Sequence, residues 1–194
     1  LVTGESKTES GTIEINTGTS TGGSSGKITI APGKSGGSAG SPVEINGGTS
    51  SLSTGGVISI LSGSGGTGTA SGAIDIRSAE ANNTTGLSGS IRIKSGKTTT
   101  GQSGNVELTT GAVTTAGKVG DIKLKVGTGA YESGGAITLD AGDANLTGST
   151  GGFVNMKAGK GSSSGGGIAI EAGSSTDSST GNGGSVSIAG GNSA

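Results

Sequence analysis

Residues 11–18 read Gly-Thr-Ile-Glu-Ile-Asn-Thr-Gly. The same wording returns as GKITIAPG from Gly26, GSIRIKSG from Gly89, GDIKLKVG from Gly120 and GSVSIAGG from Gly184. Each copy is a glycine, any residue, an apolar residue, any residue, a second apolar residue, two more residues and a closing glycine. A Ser/Thr/Gly loop leads to the next copy. Two mostly β-branched residues spaced two apart are the pattern of a strand with one covered face. No segment carries a helical period.

The first apolar residue, position 0, falls at Ile13, Ile28, Val43, Ile58, Ile74, Ile91, Val106, Ile122, Ile137, Val154, Ile168 and Val186. The second, position +2, falls at Ile15, Ile30, Ile45, Ile60, Ile76, Ile93, Leu108, Leu124, Leu139, Met156, Ile170 and Ile188. Glycine occupies position −2 in eleven of the twelve repeats, Ser41 being the exception. It occupies position +5 in eleven of twelve, Ala79 being the exception. Glycine at fixed places points to positive φ or to backbones too close for a Cβ. Between these columns the loops run from six residues (160–165) to ten (174–183). The spacing of the repeats varies only there.

Composition sets the outer limits. The chain has 194 residues, 46 of them glycine, with two prolines and no cysteine, histidine or tryptophan. Apolar residues without glycine make up 27 %, with a single Phe, Tyr and Met; glycine, which the usual share of about 45–50 % includes, has no side chain to fill a core. That excludes a conventional core. The strict order of the few Ile and Val argues for a repeat fold and against a disordered linker. Twelve basic and thirteen acidic residues leave a formal charge of −1. There is no basic patch interleaved with aromatics for nucleic acid. No apolar run approaches a membrane span.

Charges indicate which strands are neighbours, because opposite charges across a ladder help and like charges hurt. At position +1, consecutive repeats match Asp75 with Arg92, Arg92 with Glu107 and Glu107 with Lys123, all opposite. At position +3 they match Lys125 with Asp140, Asp140 with Lys157 and Lys157 with Glu171, again opposite; Arg77 with Lys94 is the like pair. Pairing alternate repeats makes every charged pair like. The expectation is therefore an all-β, parallel β-solenoid (β-helix). It has about 12 coils of 15–16 residues, with one apolar strand per coil stacked on the next. Residues 1–194 form a single array. The chain starts and stops inside repeats, with no atypical cap, which predicts a segment of a longer array or an array whose ends partners cover. Leu52, Tyr131 and Leu146 each sit fourth in their loop and either fill the thin core or stay exposed.

The chemistry of catalysis is absent from this sequence. Without histidine there is no His-centred triad, acid/base pair or imidazole metal site. Without cysteine there is no thiol chemistry or thiolate site. The strand carboxylates read as charge ladders, and Asp143 and Asp177 as solvated loop residues. The Gly-rich strings lack the Lys-Ser/Thr of a phosphate loop, and the calcium-binding nonapeptide does not occur. The expectation is a chain that is not an enzyme, with no catalytic residue, cofactor or metal. Three sequons supply candidate N-glycosylation sites at Asn82, Asn83 and Asn145, all in nine-residue loops.

The stretches GGSVSIAGG (183–191), GGAITLDAG (134–142) and GGFVNMKAG (151–159) carry a resemblance. Their wording resembles the glycine-rich GGxVxIxxG repeat regions of secreted algal, diatom-type cell-surface and adhesive proteins. It extends over essentially the whole chain. The resemblance implies an extracellular or cell-surface structural protein forming a filament, stalk or adhesive matrix, with glycans as candidate decoration. The expected partners are copies of itself or adjoining repeats, end to end or laterally. Nucleic acid and membrane insertion are not expected. The alternatives are an ice-binding β-solenoid, drawing on Thr98, Thr99, Thr100, Thr114 and Thr115, or an adhesin solenoid binding a surface or glycan.

Overall fold

The computed structural model describes residues 1–81, 86–130 and 133–191. The chain divides into two units, Leu1–Ile93 and Lys94–Ala194, each holding six of the twelve apolar pairs. No helix and no strand forms among the described residues. The parallel β-solenoid expected from the period is therefore not what this chain builds. The fold is irregular backbone with a repeated local closure.

That closure uses both glycine columns. The position −2 N–H of one repeat donates to the position +5 carbonyl of the repeat before it. In the first unit Gly56 donates to Gly48 at 2.8 Å and Gly72 to Gly63 at 2.9 Å. In the second unit Gly152 donates to Gly142 at 2.8 Å, Gly166 to Gly159 at 2.9 Å and Gly184 to Gly173 at 2.8 Å. Each bond pinches off one loop at its base, as in the Ω-loops of larger proteins. The five pinched loops run from six to ten residues. The segment from −2 to +5 is always eight residues, as in residues 56–63 and 166–173. Loop length varies, and the segment left between necks does not.

The neck has a packing partner as well as a hydrogen bond. A Cβ added at Gly152 would lie 3.4 Å from the Ala141 Cβ, at Gly166 3.7 Å from Ala158 and at Gly184 3.6 Å from Ala172. Those alanines stand at position +4, one residue before the accepting glycine. Ser62, Ser78, Ala141, Ala158 and Ala172, all at +4, are among the few side chains that are more than marginally covered. Close approach accounts for Gly26, Gly56, Gly135 and Gly152, where an added Cβ would come within 2.8–3.3 Å of a neighbour; the contact is ordinary at the other −2 glycines. None of them has positive φ; that conformation occurs at Gly68, Gly101, Gly117 and Gly148, all inside loops.

The neck also explains why no solenoid forms. A one-repeat coil needs each loop to cross its own apolar pair and return one level higher, with −2 above −2. At the five necks −2 meets +5 of the preceding repeat, so the loop there is cut out of the path before it can cover anything. Its Ser, Thr and Gly residues have little apolar surface to lay on an isoleucine. The accessible surface is 19237 Å². A folded chain of this mass would expose about 8,000 Å² and an unfolded one about 26,000 Å². No described residue is buried. Leu52 and Leu146 are exposed and fill no core; Tyr131 lies outside the described residues.

The expected charge ladders are not made either. Asp75 pairs with Arg77 of its own repeat at 3.3 Å, and Asp121 with Lys118 at 3.0 Å and Lys123 at 3.7 Å. Among the described residues no ion pair joins one repeat to the next at positions +1 or +3. With consecutive segments unpaired, each charge takes the partner that local sequence offers. Such exposed pairs contribute little.

Candidate functional site

The apolar segments and the necked loops are the two surfaces on offer. Along a segment the exposure alternates: Val57 is 90 % exposed, Ile58 50 %, Ile60 65 % and Leu61 90 %. Position 0 is the better covered column throughout, at 44–61 % against 61–88 % for position +2. The apolar pairs are thus the better covered positions of this segment, and their flanking residues Val57 and Leu61 the more exposed. This is the facing expected of an i, i+2 pair, without a sheet to complete it.

The loops carry the polar chemistry. Two contain the same turn. Thr69 N–H donates to the Gly66 carbonyl at 3.1 Å, and Ser149 N–H to the Leu146 carbonyl at 3.0 Å. In both, the third residue is a glycine of positive φ, Gly68 at 77° and Gly148 at 82°, as a type II turn requires. In both, the fourth residue's hydroxyl also donates to the same carbonyl. The candidate acceptor Asn145 stands immediately before the second turn, exposed at the side of its loop. Thr147 of its sequon is the second turn residue. Asn82 and Asn83 lie outside the described residues.

The loop of residues 174–183 is organised by Asp177. Its carboxylate accepts from the Thr180 hydroxyl at 2.6 Å and from the Ser179 N–H and hydroxyl, both at 2.9 Å. The Asp177 N–H donates to the Ser175 hydroxyl at 3.2 Å. The Thr180 hydroxyl first, then the Ser179 groups, hold this carboxyl well below the usual carboxylate range. These bonds are all internal to the loop and use the oxygens that a ligand would need. Asp143 makes no such turn. Among the described residues no three Asp or Glu side chains gather to hold a metal ion.

Two open hollows border the loops. One, of about 560 Å³, lies beside Arg77, Ser78 and Glu80. The other, of about 610 Å³, lies in the loop of Lys94, Lys97 and Thr98. The Thr98 hydroxyl there donates to the Thr100 carbonyl at 2.6 Å, folding the threonine run back on itself. No described helix is long and apolar enough to cross a membrane. The pairing of position +4 with −2 was absent from the sequence reading. Its signal was available: +4 is Gly, Ala, Ser, Thr or Pro in every repeat but one, Val126. No family model, curated protein or solved structure matches the chain.

Proposed function

We propose that this chain is a non-enzymatic, extracellular structural repeat protein, part of a filament, stalk or adhesive matrix. One observation carries the proposal. A fixed eight-residue apolar segment alternates with polar loops, and five of those loops, of six to ten residues, close on the same register. Such a chain keeps its unit constant while its loops change, which suits a protein whose work scales with the number of repeats. The loops present Ser and Thr hydroxyls and the exposed Asn145 to solvent, as glycan attachment requires. The resemblance to algal cell-surface repeat regions points the same way. Ice binding asks for threonines held in one flat array, whereas Thr98 to Thr100 and Thr114 to Thr115 belong to separate loops.

The test is antibody labelling of intact, unpermeabilised cells that make the protein, combined with electron microscopy of the labelled material. Label on fibres or matrix outside the cell is the expected result. Label that appears only after permeabilisation would overturn the proposal.

A further inference from the structure

The two glycine columns have different explanations. At position −2 an added Cβ would meet neighbouring backbone or a +4 side chain within 4 Å. Position +5 has no such neighbour within the chain. A Cβ built on any of its eleven glycines, Gly48, Gly63, Gly159 and Gly173 among them, meets nothing within 4 Å. None of the eleven has positive φ. Glycine in an extended segment costs conformational entropy relative to alanine, so open space and ordinary φ favour a side chain. Glycine nonetheless recurs there in eleven of twelve repeats.

The segments that end in these glycines are incomplete in two further ways. Their apolar columns are about half exposed or more. Their backbone groups are also unpaired: among the described residues the backbone–backbone bonds are the five necks and two loop turns. We infer that the apolar segments dock on the apolar segments of a second copy of this chain, with the two backbones passing closely at the +5 glycines. The inference rests on the structural reading above and names its partner.

Three observations select a second copy. The eight-residue segment is constant, so it matches itself repeat after repeat. A net charge of −1 sets up little repulsion between copies. The area is sufficient as well. At about 25 cal/mol per Å² and 1.5–3 kcal/mol for a covered Val, Leu or Ile, one such side chain carries about 60–120 Å². Twenty-four column residues, each with roughly half or more exposed, offer on the order of 1,000 Å² per copy. A stable complex needs about 800 Å² per partner. A lipid surface would cover the side chains but leave the backbone N–H and C=O groups unsatisfied. Another chain satisfies both, as exposed strand edges do when they pair.

The experiment is sedimentation equilibrium of the full chain across a concentration series, with phosphatidylcholine vesicle flotation alongside. The wild type should associate as concentration rises and should not float. A variant carrying Gly48→Ala, Gly63→Ala, Gly159→Ala and Gly173→Ala should weaken association by at least about tenfold, because a methyl blocks the approach yet meets open space in the single chain. A control with Gly22→Ala, Gly36→Ala and Gly37→Ala, loop glycines that also face open space, should associate as the wild type does. Backbone couplings across the necks, measured by NMR in all three proteins, report whether the single-chain structure survives. A wild type that stays monomeric, a four-alanine variant that associates normally, or flotation of the monomer would overturn the inference. Loss of association with surface labelling intact removes this inference alone. Internal labelling with association intact removes the structural reading alone.

Discussion

Two necks of the second unit show what closes a loop and what keeps it open. Both Gly135 and Gly152 follow another glycine and open an apolar segment. Gly152 makes its 2.8 Å bond to Gly142. Gly135 has no corresponding bond to Gly127 among the described residues. The two also differ in the side chain at position +4. Ala141 leaves its Cβ 3.4 Å from the Cβ site of Gly152, whereas the Val126 Cγ1 stands 2.8 Å from that of Gly135. A β-branched side chain is stiff and props the two backbones apart. A small +4 residue accompanies every neck among the described residues but does not suffice for one, since Ser95 is followed by no bond from Gly104 to Gly96. The five closed necks have Gly47, Ser62, Ala141, Ala158 or Ala172 at +4. Where +4 is Thr17, Pro32, Thr110 or Val126, no neck bond is present among the described residues.

The largest break in this comparison is Gly47→Val. A Cβ there would lie 2.5 Å from the Gly56 carbonyl oxygen, and backbone cannot yield cheaply. The neck from Gly48 to Gly56 should be lost, at about 1–2 kcal/mol, and the through-hydrogen-bond coupling between these residues should vanish. Next comes a reciprocal exchange. Ala141→Val should open the Gly142 to Gly152 neck, costing about 1 kcal/mol, the net worth of one such bond. Val126→Ala should let Gly135 donate to Gly127. Amide exchange at Gly152 should speed up in the first variant, and at Gly135 slow down in the second. Unchanged exchange in both would remove +4 as the deciding position.

Loop length should matter less. Inserting Gly-Ser-Gly-Ser into the six-residue loop of residues 160–165 makes it as long as the ten-residue loop that Gly173 and Gly184 close. Loop closure entropy grows so slowly that the cost is under about 0.6 kcal/mol. The Gly159 to Gly166 coupling should therefore persist, and its disappearance would show that length controls the neck. The smallest effect is that of pH. The Asp177 carboxyl is held below its ordinary value of 3.8 by hydroxyl and amide donors. A depressed value means that ionised Asp177 contributes order above pH 3.8 and loses it as pH falls toward the lowered value. The Ser179 and Thr180 amide shifts should be flat at neutral pH and down to about 3.8, moving only below it. Titration of those shifts near neutral pH would contradict the assignment.

The repeat boundaries were legible in the residues, and the architecture built on them, a parallel β-solenoid, was not what formed. The apolar pairs, the two glycine columns and the variable loops are all boundaries of the structure. The alternation at Val57, Ile58, Ile60 and Leu61 follows the i, i+2 pattern. The polar loop surface around Asn145 was legible for the same reason, since Ser, Thr and Gly cannot build an interior. The charge columns misled. Asp75 and Arg92 are opposite in sign, but Arg77 is closer to Asp75 along the chain and takes it. A ladder depends on segments already being paired, and charge alone does not pair them.

The sequence by itself determined the rhythm: which residues are apolar, where glycine stands, and that no conventional core can form from so few large side chains. Only the tertiary structure decided which glycine meets which. Position −2 can stack on −2 in a coil or close on +5 across a loop, and both use the same letters. Closing a loop of six to ten residues costs little entropy, and the five necks that form all have Gly, Ser or Ala at +4. Stacking coils needs a return path able to cover isoleucine, and Ser, Thr and Gly supply none. The neck therefore forms, and the apolar columns are left facing outward.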